Sequence, residues 1–460
     1  MPSSPVRGTL LAVLALSAAL APVALAQQAQ GVNGTRQTRI ATPPAASGPS
    51  DNTTFSQDNR AVRMMAFDSA ATNLVRGDSN QKRDVYVLRR GSGEGDLSGS
   101  LLRVSVAGRG GTQANGNSSK PSLDGDQKRR PHCVAFQSTA RNLDRGDRST
   151  DSDIYLRDIS RKTTTLVSVG HRNATGGVVD GECEFVTYEA SGAVFVRDLE
   201  GEKTTRIARG SNPDQQTNGK GVAYQRGGQI YQQSFQKLFN KGNPTVKKTA
   251  RELLVSSGRS GRGNGTSSNP SADDNGYYVA FESTATNLCR SLCKGVSEDA
   301  NGSTSDIYRK TISRKAPTKD TMQMVSFSFA VSEQGNGPSN NPAITGAGEN
   351  VAFDSAATNL RQSSAIKNID PNGPTRDIYY WNFPRARQTG NVSRESRPGK
   401  ALEDGGVFNG ASTNPSSSNR ANFIAFTSAQ SGLSGESNGA SIEDVFIRYL
   451  GGGPEDTDPE

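Results

Sequence analysis

The stretch Val351-Ala352-Phe353-Asp354-Ser355, followed by Thr358-Asn359-Leu360, decides the fold because related copies of it recur along the chain. Five copies are clear and two are weaker, and they begin at Ala66, Val134, Val186, Val222, Val279, Val351 and Ile424. Such a recurrence indicates a repeat architecture, in which each unit buries its apolar faces against its neighbours. The apolar runs are short and flanked by Gly, Asn and Ser, which is typical of strands joined by polar turns.

Each copy belongs to a unit that predicts four strands. The phrase is followed by a strand centred on Asp-Ile-Tyr or a relative, such as Asp377-Ile378-Tyr379, and then by a strand ending in Val-Ser. A Gly-, Asn- and Ser-rich lead that ends near proline supplies the innermost strand. The Val-Ser pairs begin at Val104, Val167, Val255, Val325 and Val392. Four antiparallel strands make one propeller blade, so we expect an all-β, single β-propeller of about seven blades, with six as the alternative.

The two ends of the repeat region predict how the ring closes. The last unit ends at Asp444 to Leu450 without a fourth strand. Near the N-terminus, Thr38-Arg39-Ile40-Ala41 has the same four letters as Thr205-Arg206-Ile207-Ala208, which holds the fourth-strand position of the third unit. We therefore expect an N-terminal strand to complete the last blade and remove its open edge.

The first residues are typical of an export signal. Residues 1–26 combine Arg7, a short apolar core and a small-x-small ending at Ala24-Leu25-Ala26, which predicts cleavage before Gln27. No later stretch approaches 18 consecutive apolar residues, so the sequence predicts no membrane span. The domain plan is a signal peptide at 1–26, a linker at 27–37, the propeller at 38–450 and an acidic flexible tail at 451–460. The expected location is secreted or periplasmic.

The charge distribution narrows the class of partner. The formal net charge is +8, and the basic residues are dispersed without interleaved aromatic residues. This pattern argues against a nucleic-acid partner, whereas a modest positive excess suits anionic envelope polymers. We expect a monomer.

The four cysteines predict disulfides rather than metal ligation, because export usually means an oxidising compartment. Cys133 and Cys183 precede equivalent strands of consecutive repeats, and Cys289 and Cys293 share one loop, which predicts the pairs 133–183 and 289–293. The chain contains two histidines and no Cys-x-x-Cys, which argues against a cysteine-rich zinc site.

The repeat resembles those of TolB-like (WD40-like) propellers, whose blade reads roughly Asp-Gly, then Val-Ala-Phe-x-Ser, then Asp-Ile-Tyr-x-x-Asp. The matching fragments are Asp124-Gly125, Val134 to Ser138 and Asp153 to Asp158, and the resemblance covers about residues 38–450. The chain departs from TolB itself in having seven apparent blades rather than six and no separate N-terminal α/β domain. The resemblance implies a periplasmic or extracellular ring that binds protein.

Long connections lead into the Asp-Ile-Tyr strand in all blades except 3 and 4, and they open on the same face as the linkers between blades. Loops on a rigid scaffold often carry function. In four blades these loops repeat an Asp-x-Asn-like pattern, which either supplies oxygen ligands for a structural calcium ion or forms Asx-turns. The candidate calcium ligands are Asp78, Asn80 and Asp84; Asp147, Asp151 and Asp153; Asp299, Asn301 and Asp306; and Asp370, Asn372 and Asp377.

The sequence predicts no catalytic and no cofactor-binding residue. We expect an exported, non-enzymatic propeller that binds a protein or cell-envelope polymer through its loop-rich face. The alternative is a propeller hydrolase or lyase acting on envelope polysaccharide, for which facing carboxylates in the central channel would be evidence.

Overall fold

The computed structural model describes residues 37–40, 46–58, 62–91, 99–126, 129–240, 243–259, 261–289, 293, 299–313, 320–329, 332–360, 370, 372–383, 391–396, 410–420, 422–430, 433 and 442–450. The predicted signal peptide, nearly all of the predicted linker and the predicted acidic tail lie outside these ranges, so those boundaries stay predictions. The described residues form strands and turns. None of them forms a helix long and apolar enough to cross a membrane.

The first half of the chain forms a single N-terminal strand, three complete blades and one small hairpin. The single strand is β1 (Gln37–Ile40), and blade 1 contains β2 (Ser50–Phe55), β3 (Met64–Ser69), β4 (Asp84–Arg90) and β5 (Gly99–Arg103). A linker hairpin contains β6 (Val106–Ala107) and β7 (Thr112–Gln113). Blade 2 contains β8 (Ser118–Leu123), β9 (Cys133–Ser138), β10 (Asp153–Asp158) and β11 (Thr163–Leu166). Blade 3 contains β12 (Thr175–Val179), β13 (Phe185–Ala190), β14 (Ala193–Asp198) and β15 (Lys203–Arg209).

The second half of the chain forms blades 4 to 7 and two further linker hairpins. Blade 4 contains β16 (Ser211–Gln215), β17 (Gly221–Arg226), β18 (Gln229–Asn240), β19 (Asn243–Lys248) and β20 (Leu253–Leu254), with β19 and β20 on separate halves of β18. A hairpin of β21 (Ser257–Gly258) and β22 (Gly261–Arg262) precedes blade 5, which contains β23 (Ser267–Ala272), β24 (Tyr278–Ser283), β25 (Asp306–Thr311) and β26 (Thr321–Met324). A hairpin of β27 (Phe327–Ser328) and β28 (Glu333–Gln334) precedes blade 6, which contains β29 (Ser339–Ile344), β30 (Asn350–Ser355), β31 (Asp377–Asn382) and β32 (Asn391–Arg394). Blade 7 contains β33 (Ser412–Ser417), β34 (Phe423–Ser428) and β35 (Asp444–Tyr449).

The N-terminal strand closes the ring. Strand β1 pairs antiparallel with β35, with Gln37 opposite Tyr449 and Ile40 opposite Phe446. It is the fourth strand of blade 7, as the matching tetrapeptides predicted. The first and last parts of the chain are therefore held together by backbone hydrogen bonds, and the last blade has no open edge.

A stacked aromatic pair in each blade explains why even the weak repeats form blades. One ring comes from the second strand and the other from the third, at directly opposite positions, with ring centroids 5.7 to 6.0 Å apart. Such cross-strand pairs stabilise a sheet beyond their buried area. The pairs are Phe67–Tyr86, Phe136–Tyr155, Tyr188–Phe195, Tyr224–Tyr231, Phe281–Tyr308, Phe353–Tyr379 and Phe426–Phe446. Seven blades are thus present, and the six-blade alternative is wrong.

In blades 1, 2, 4 and 5 the Val-Ser pair directly follows the last strand of the blade, and the serine explains the repeat. Ser168 Oγ donates to Asp153 at 2.6 Å, and Ser326 Oγ donates to Asp306 at 2.6 Å. In blade 6 the equivalent residue is Ser396, which donates to Asp377 at 2.6 Å. The predicted end of that strand at Val392-Ser393 is wrong, because Val392 pairs with Trp381 inside β32. In blades 1, 2, 5 and 6 the buried Asp that begins the third strand is thereby given a hydrogen-bond partner.

Both predicted disulfides are present. Cys133 and Cys183 join blade 2 to the turn before the second strand of blade 3, with Cα atoms 6.2 Å apart and a sequence separation of 50. Cys289 and Cys293 close a short loop of blade 5. The first bond crosses a blade boundary, so on a chain-entropy estimate it stabilises the fold by about 4 kcal/mol.

Candidate functional site

The loop-rich face is built from the linkers between blades and the long connections that lead to the third strands. Gln113 of the first linker accepts backbone N–H groups from Ser79 (3.2 Å) and Asn80 (3.0 Å), and its amide donates to Gly77 O. The two kinds of loop therefore share one face, as the sequence predicted. In blades 3 and 4 the corresponding connections are two-residue turns, Ser191-Gly192 and Gly227-Gly228.

The Thr-Asn-Leu part of the repeat holds each linker in place. In blade 5, Asn287 accepts the backbone N–H of Asn264 at 3.0 Å, while Asn264 accepts the backbone N–H of Thr286 at 2.8 Å. Blade 6 repeats these bonds with Asn359 and Asn336 (2.9 Å). The asparagine of this motif therefore fixes the linker to its blade, and its side-chain oxygen is occupied by this hydrogen bond.

The carboxylate loops of blades 1 and 6 enclose an arginine from the fourth strand. In blade 1, Arg103 Nη1 lies 3.0 Å from Asp78 Oδ1 and 3.5 Å from Asp84 Oδ2. In blade 6, Arg394 Nη1 lies 3.5 Å from both Asp370 and Asp377. The charge of each carboxylate pair is thus partly balanced inside the protein. Burial nevertheless raises the pKa of Asp377 to about 6, although Arg394 opposes the shift.

In blades 2 and 5 the fourth strand carries an apolar residue at the position that the arginine holds in blades 1 and 6. Leu166 lies opposite Tyr155, and Met324 lies opposite Tyr308, in the same register as Arg103 opposite Tyr86. Blade 5 uses an amide instead, because Gln334 Nε2 donates to Asp299 at 2.9 Å and to Asp306 at 2.7 Å.

In the two blades without this arginine, a tyrosine hydroxyl contacts an aspartate in blade 2, and the pKa of an aspartate is strongly raised in blade 5. In blade 2, Tyr155 donates its hydroxyl to Asp147 at 2.5 Å. In blade 5, burial raises the pKa of Asp306 to about 7, and the nearby Asp299 carboxylate adds to the shift. Asp147 and Asp306 are therefore held in the fold by hydrogen bonds.

Calcium binding by these four loops stays a prediction. A cation in blade 1 or 6 would have to displace Arg103 or Arg394, so those donor sets do not fit calcium as they stand. The sets that fit better are Asp147, Asp151 and Asp153 in blade 2, and Asp299, Asn301 and Asp306 in blade 5. Asp151 is already paired with the exposed Arg172 at 2.5 Å.

A second polar feature lies at the mouth of the central channel, on the loop-rich face. Every innermost strand has a bulge, and one residue in each bulge has a left-handed backbone with φ between +47° and +62°. Asparagine tolerates this conformation better than most residues. We call these seven residues the rim: Asn52, Lys120, Gly176, Asn212, Asn269, Asn341 and Asn414.

Five of the seven rim residues are asparagines, and three of these are joined through their side-chain amides. Asn212 Nδ2 donates to Asn269 Oδ1 at 2.8 Å, and Asn269 Nδ2 donates to Asn341 Oδ1 at 3.2 Å. Asn414 Nδ2 donates to Asp51 at 3.0 Å, which links the last blade to the first. The rim therefore presents primary amides whose spacing is set by the blades.

Acidic side chains of the second strands accept hydrogen bonds from backbone N–H groups of the rim. Glu282 accepts the backbone N–H of Asn341 at 3.0 Å, and Asp68 accepts the backbone N–H of Lys120 at 2.8 Å. Each bond crosses from one blade to the next. Burial raises the pKa of Asp68, while the ion pair with Arg83 opposes that shift.

The opposite end of the channel is narrowed by a chain of backbone hydrogen bonds between adjacent blades. Gly181 N–H donates to Thr217 O (2.8 Å), Asp274 N–H donates to Gly346 O (3.1 Å), and Gly346 N–H donates to Asn419 O (3.1 Å). A Cβ at Gly181 would lie 2.7 Å from Gly125 O, so a side chain would not fit. The channel is consequently a well of about 320 Å³ that opens through the rim.

Two carboxylates line the well. Asp214 accepts the backbone N–H of Ala272 at 2.7 Å, in the place where Ser122 and Ser271 serve other blades. Burial raises the pKa of Asp214 to about 7. Asp274 lies at the narrow end, where Asn419 Nδ2 donates to it at 2.6 Å, and burial raises its pKa as well.

The rim and the well were missed at the sequence level, although a signal was present. The pattern Asn-Pro at 212, 269, 341 and 414, with Lys120-Pro121 as a variant, marks the bulged residue of the innermost strand. The sequence alone identified these dipeptides only as markers of a strand. That the residues face one another around an axis follows only from the closed ring.

The fold and the well define the chain as a seven-bladed β-propeller with one open and one narrowed channel end. No family model and no curated protein matches the chain. It is similar in structure to the β-propeller domain of the trilobed protease from Pyrococcus furiosus, with 8% identity over 88% of this chain and 98% of that domain and a TM-score of 0.45.

Two further solved structures are similar at the same level. For TolB from Acinetobacter baumannii, the identity is 10% over 86% of this chain and 78% of that one, with a TM-score of 0.33. For an oligogalacturonate lyase in complex with manganese, the identity is 10% over 74% of this chain and 99% of that one, with a TM-score of 0.30. At these identities and TM-scores the likeness carries no information on what the chain binds.

Proposed function

We propose that the protein is an exported, non-enzymatic β-propeller that binds a protein segment or a cell-envelope polymer through its loop-rich face. The observation that carries this proposal is the rim, whose five asparagines lie around the channel at the end opposite the glycine contacts. Primary amides both donate and accept hydrogen bonds, so they complement peptide groups and sugar hydroxyls alike. The partner enters from the loop-rich face, because the other end is narrowed by glycine contacts.

The surroundings of the rim support binding rather than chemistry. Asn269 is bonded to Asn341 through the side-chain amides. Glu282 accepts the backbone N–H of Asn341 and Asp68 accepts that of Lys120, so the positions of these rim residues are set before a partner arrives. Preorganised polar groups lose little conformational freedom on binding, which favours affinity. The connections that lead to the third strands of blades 1 and 2 lie on the same face and add further polar contact area.

The test is affinity capture from the native envelope fraction with the chain from residue 27 onward, with and without a chelator. The decisive variant is Asn212→Gly with Asn269→Gly, which removes two rim amides. Gly176 occupies the same place in blade 3, so glycine is compatible with this backbone conformation.

The matched control is Lys162→Gly, which also has a left-handed backbone (φ 58°) but lies in a turn on the opposite face. We expect the rim variant to lose the captured partner and Lys162→Gly to retain it. Capture that survives the rim variant would place binding elsewhere, and an empty capture with the parent chain would contradict the proposal.

A second candidate function rests on the two carboxylates in the well. An acid with a pKa near 7, such as Asp214, is suited to proton transfer at neutral pH. On this alternative the protein is a hydrolase or lyase acting on envelope polysaccharide. Asp214→Asn would then abolish release of sugar fragments from isolated envelope polysaccharide, while binding through the rim would remain.

A further inference from the structure

Four side chains that can ligate metal meet between blades 2 and 3, on the face opposite the loop-rich one. They are Asp124 after β8, His132 and Cys133 where β9 begins, and Cys183 before β13. One ligand atom of each lies within 4.8 Å of the other three. Within the described part of the chain, this is the one such group of three or more histidine, cysteine and carboxylate side chains.

Asp124 organises this group. Its Oδ1 accepts the backbone N–H groups of His132 (2.8 Å) and Cys133 (2.9 Å), which sets the carboxylate in position. Its Oδ2 lies 2.9 Å from His132 Nδ1. The carboxylate is buried, whereas a third of the His132 side chain is exposed, so an ion could reach the imidazole from solvent.

We propose that, once the Cys133–Cys183 disulfide is reduced, this junction binds one zinc ion through Asp124, His132, Cys133 and Cys183. Zinc takes four sulfur, nitrogen and oxygen ligands in a tetrahedron. With Zn–S bonds of about 2.3 Å and Zn–N or Zn–O bonds of about 2.1 Å, ligand atoms are separated by about 3.3 to 3.8 Å. All four ligand atoms lie within 4.8 Å of one another, about 1 Å beyond that range. The two sulfur atoms separate once their bond is broken, so side-chain rotations bring the four atoms into a tetrahedron.

The disulfide and the zinc ion are alternative occupants of the junction. A dithiol reductant supplies two electrons and two protons, the S–S bond breaks into two thiols, and the reductant becomes a cyclic disulfide. Zinc binding then displaces both thiol protons, since the thiolate is the ligand form. Oxidation by a protein disulfide reverses the sequence and releases the ion.

Either occupant links blade 2 to blade 3. The ring therefore keeps a covalent or coordinate connection at this boundary in both redox states. The site lies away from the rim, so this inference is independent of the proposed binding function. It also differs from the calcium candidates, whose ligands are oxygen atoms on the other face.

The second disulfide provides the matched control. Within the described residues, no histidine or carboxylate joins Cys289 and Cys293 to form a group of three metal ligands. The parent for the experiment is therefore Cys289→Ser with Cys293→Ser, which retains only the junction cysteines. This chain is reduced with a dithiol, freed of it under anaerobic conditions, and titrated with Co²⁺ and then with Zn²⁺.

We expect the reduced chain to bind one equivalent of Co²⁺ with the visible bands of a tetrahedral thiolate site, and zinc to displace it. The oxidised chain should bind none. His132→Ala and Asp124→Asn should each weaken binding at least about tenfold, and Cys133→Ser with Cys183→Ser should abolish it. Asp124→Asn keeps an oxygen for the two backbone N–H groups, so it removes the ligand without removing the turn.

Three results would overturn the proposal, each with circular dichroism of the reduced variants unchanged from that of the reduced parent. They are the absence of metal binding by the reduced chain, equal binding by the oxidised chain, and affinities of the His132 and Asp124 variants equal to that of the parent.

Discussion

Blades 1 and 6 differ from blades 2 and 5 in how the same carboxylate pattern is neutralised. In blades 1 and 6 an arginine of the fourth strand lies between the two acids, whereas Leu166 and Met324 hold that place in blades 2 and 5. The pKa of Asp377, beside Arg394, is raised to about 6, and that of Asp306, without the arginine, to about 7. One residue far along the chain therefore changes the electrostatics of an otherwise shared loop.

The largest effect should follow from Arg103→Leu, which gives blade 1 the residue that blade 2 has. Two buried carboxylates, Asp78 and Asp84, would lose their cation, and breaking such a pair costs about 3 kcal/mol of unfolding free energy. Urea denaturation at pH 8 measures the loss. The matched control, Arg172→Ala, removes an arginine from an exposed pair and should leave the unfolding free energy unchanged; equal losses would contradict the comparison.

The next effect concerns the pH dependence of blade 5. Because the pKa of Asp306 is raised from 3.8 to about 7, the folded state holds a proton that the unfolded state has released. The stability from this group is full below about pH 4 and is lost as the pH rises to about 7, at up to about 1.4 kcal/mol per pH unit. Asp306→Asn should reduce the slope of unfolding free energy against pH in this window. An unchanged slope would show that Asp306 ionises normally.

A smaller effect is expected when blade 5 is given the arginine of blade 6. Met324→Arg should lower the pKa of Asp306 towards that of Asp377, and a shift of one unit corresponds to about 1.4 kcal/mol. Carboxyl NMR titration measures the pKa directly. Met324→Gln is the neutral control for the change in packing, and a shift of equal size in both variants would rule out an electrostatic cause.

The smallest effect is the response to calcium. If the loops bind calcium, the ion should raise the thermal midpoint through blades 2 and 5, where no guanidinium has to be displaced. Asp147→Asn and Asp299→Asn should each reduce the response, whereas Asp370→Asn should leave it unchanged. A response lost equally in all three variants would contradict the distinction between the blades, and addition of a chelator to the parent chain provides the baseline.

Much of the fold could be predicted because its signals are local. Strand order, closure by β1 and both disulfides followed from repeated phrases and from their positions within the repeat. The weak copies at Val186 and Val222 were correctly counted, since Tyr188 and Tyr224 still stack on the third strand. The one misplaced strand end, at Val392-Ser393, arose because the serine that binds Asp377 lies three residues further on.

The candidate sites could be predicted only in part. The acidic loops were visible as Asp-x-Asn patterns, but the pattern does not reveal whether Arg103 or Leu166 will lie beside it. The sequence argued against a cysteine-rich zinc site, because the chain has two histidines and no Cys-x-x-Cys. Asp124 and His132 form no short motif with Cys183. Their proximity depends on how blade 3 packs on blade 2.

The sequence by itself determined a closed ring of seven blades, since alternation of apolar residues, turn residues and matching end strands are properties of short segments. Only the tertiary structure decided which polar residues meet at the centre. Asn414 and Asp51 are 363 residues apart and lie 3.0 Å from each other because the ring closes. Contacts of this kind depend on the radius of the ring and on the order of its blades, and no local sequence pattern encodes either property.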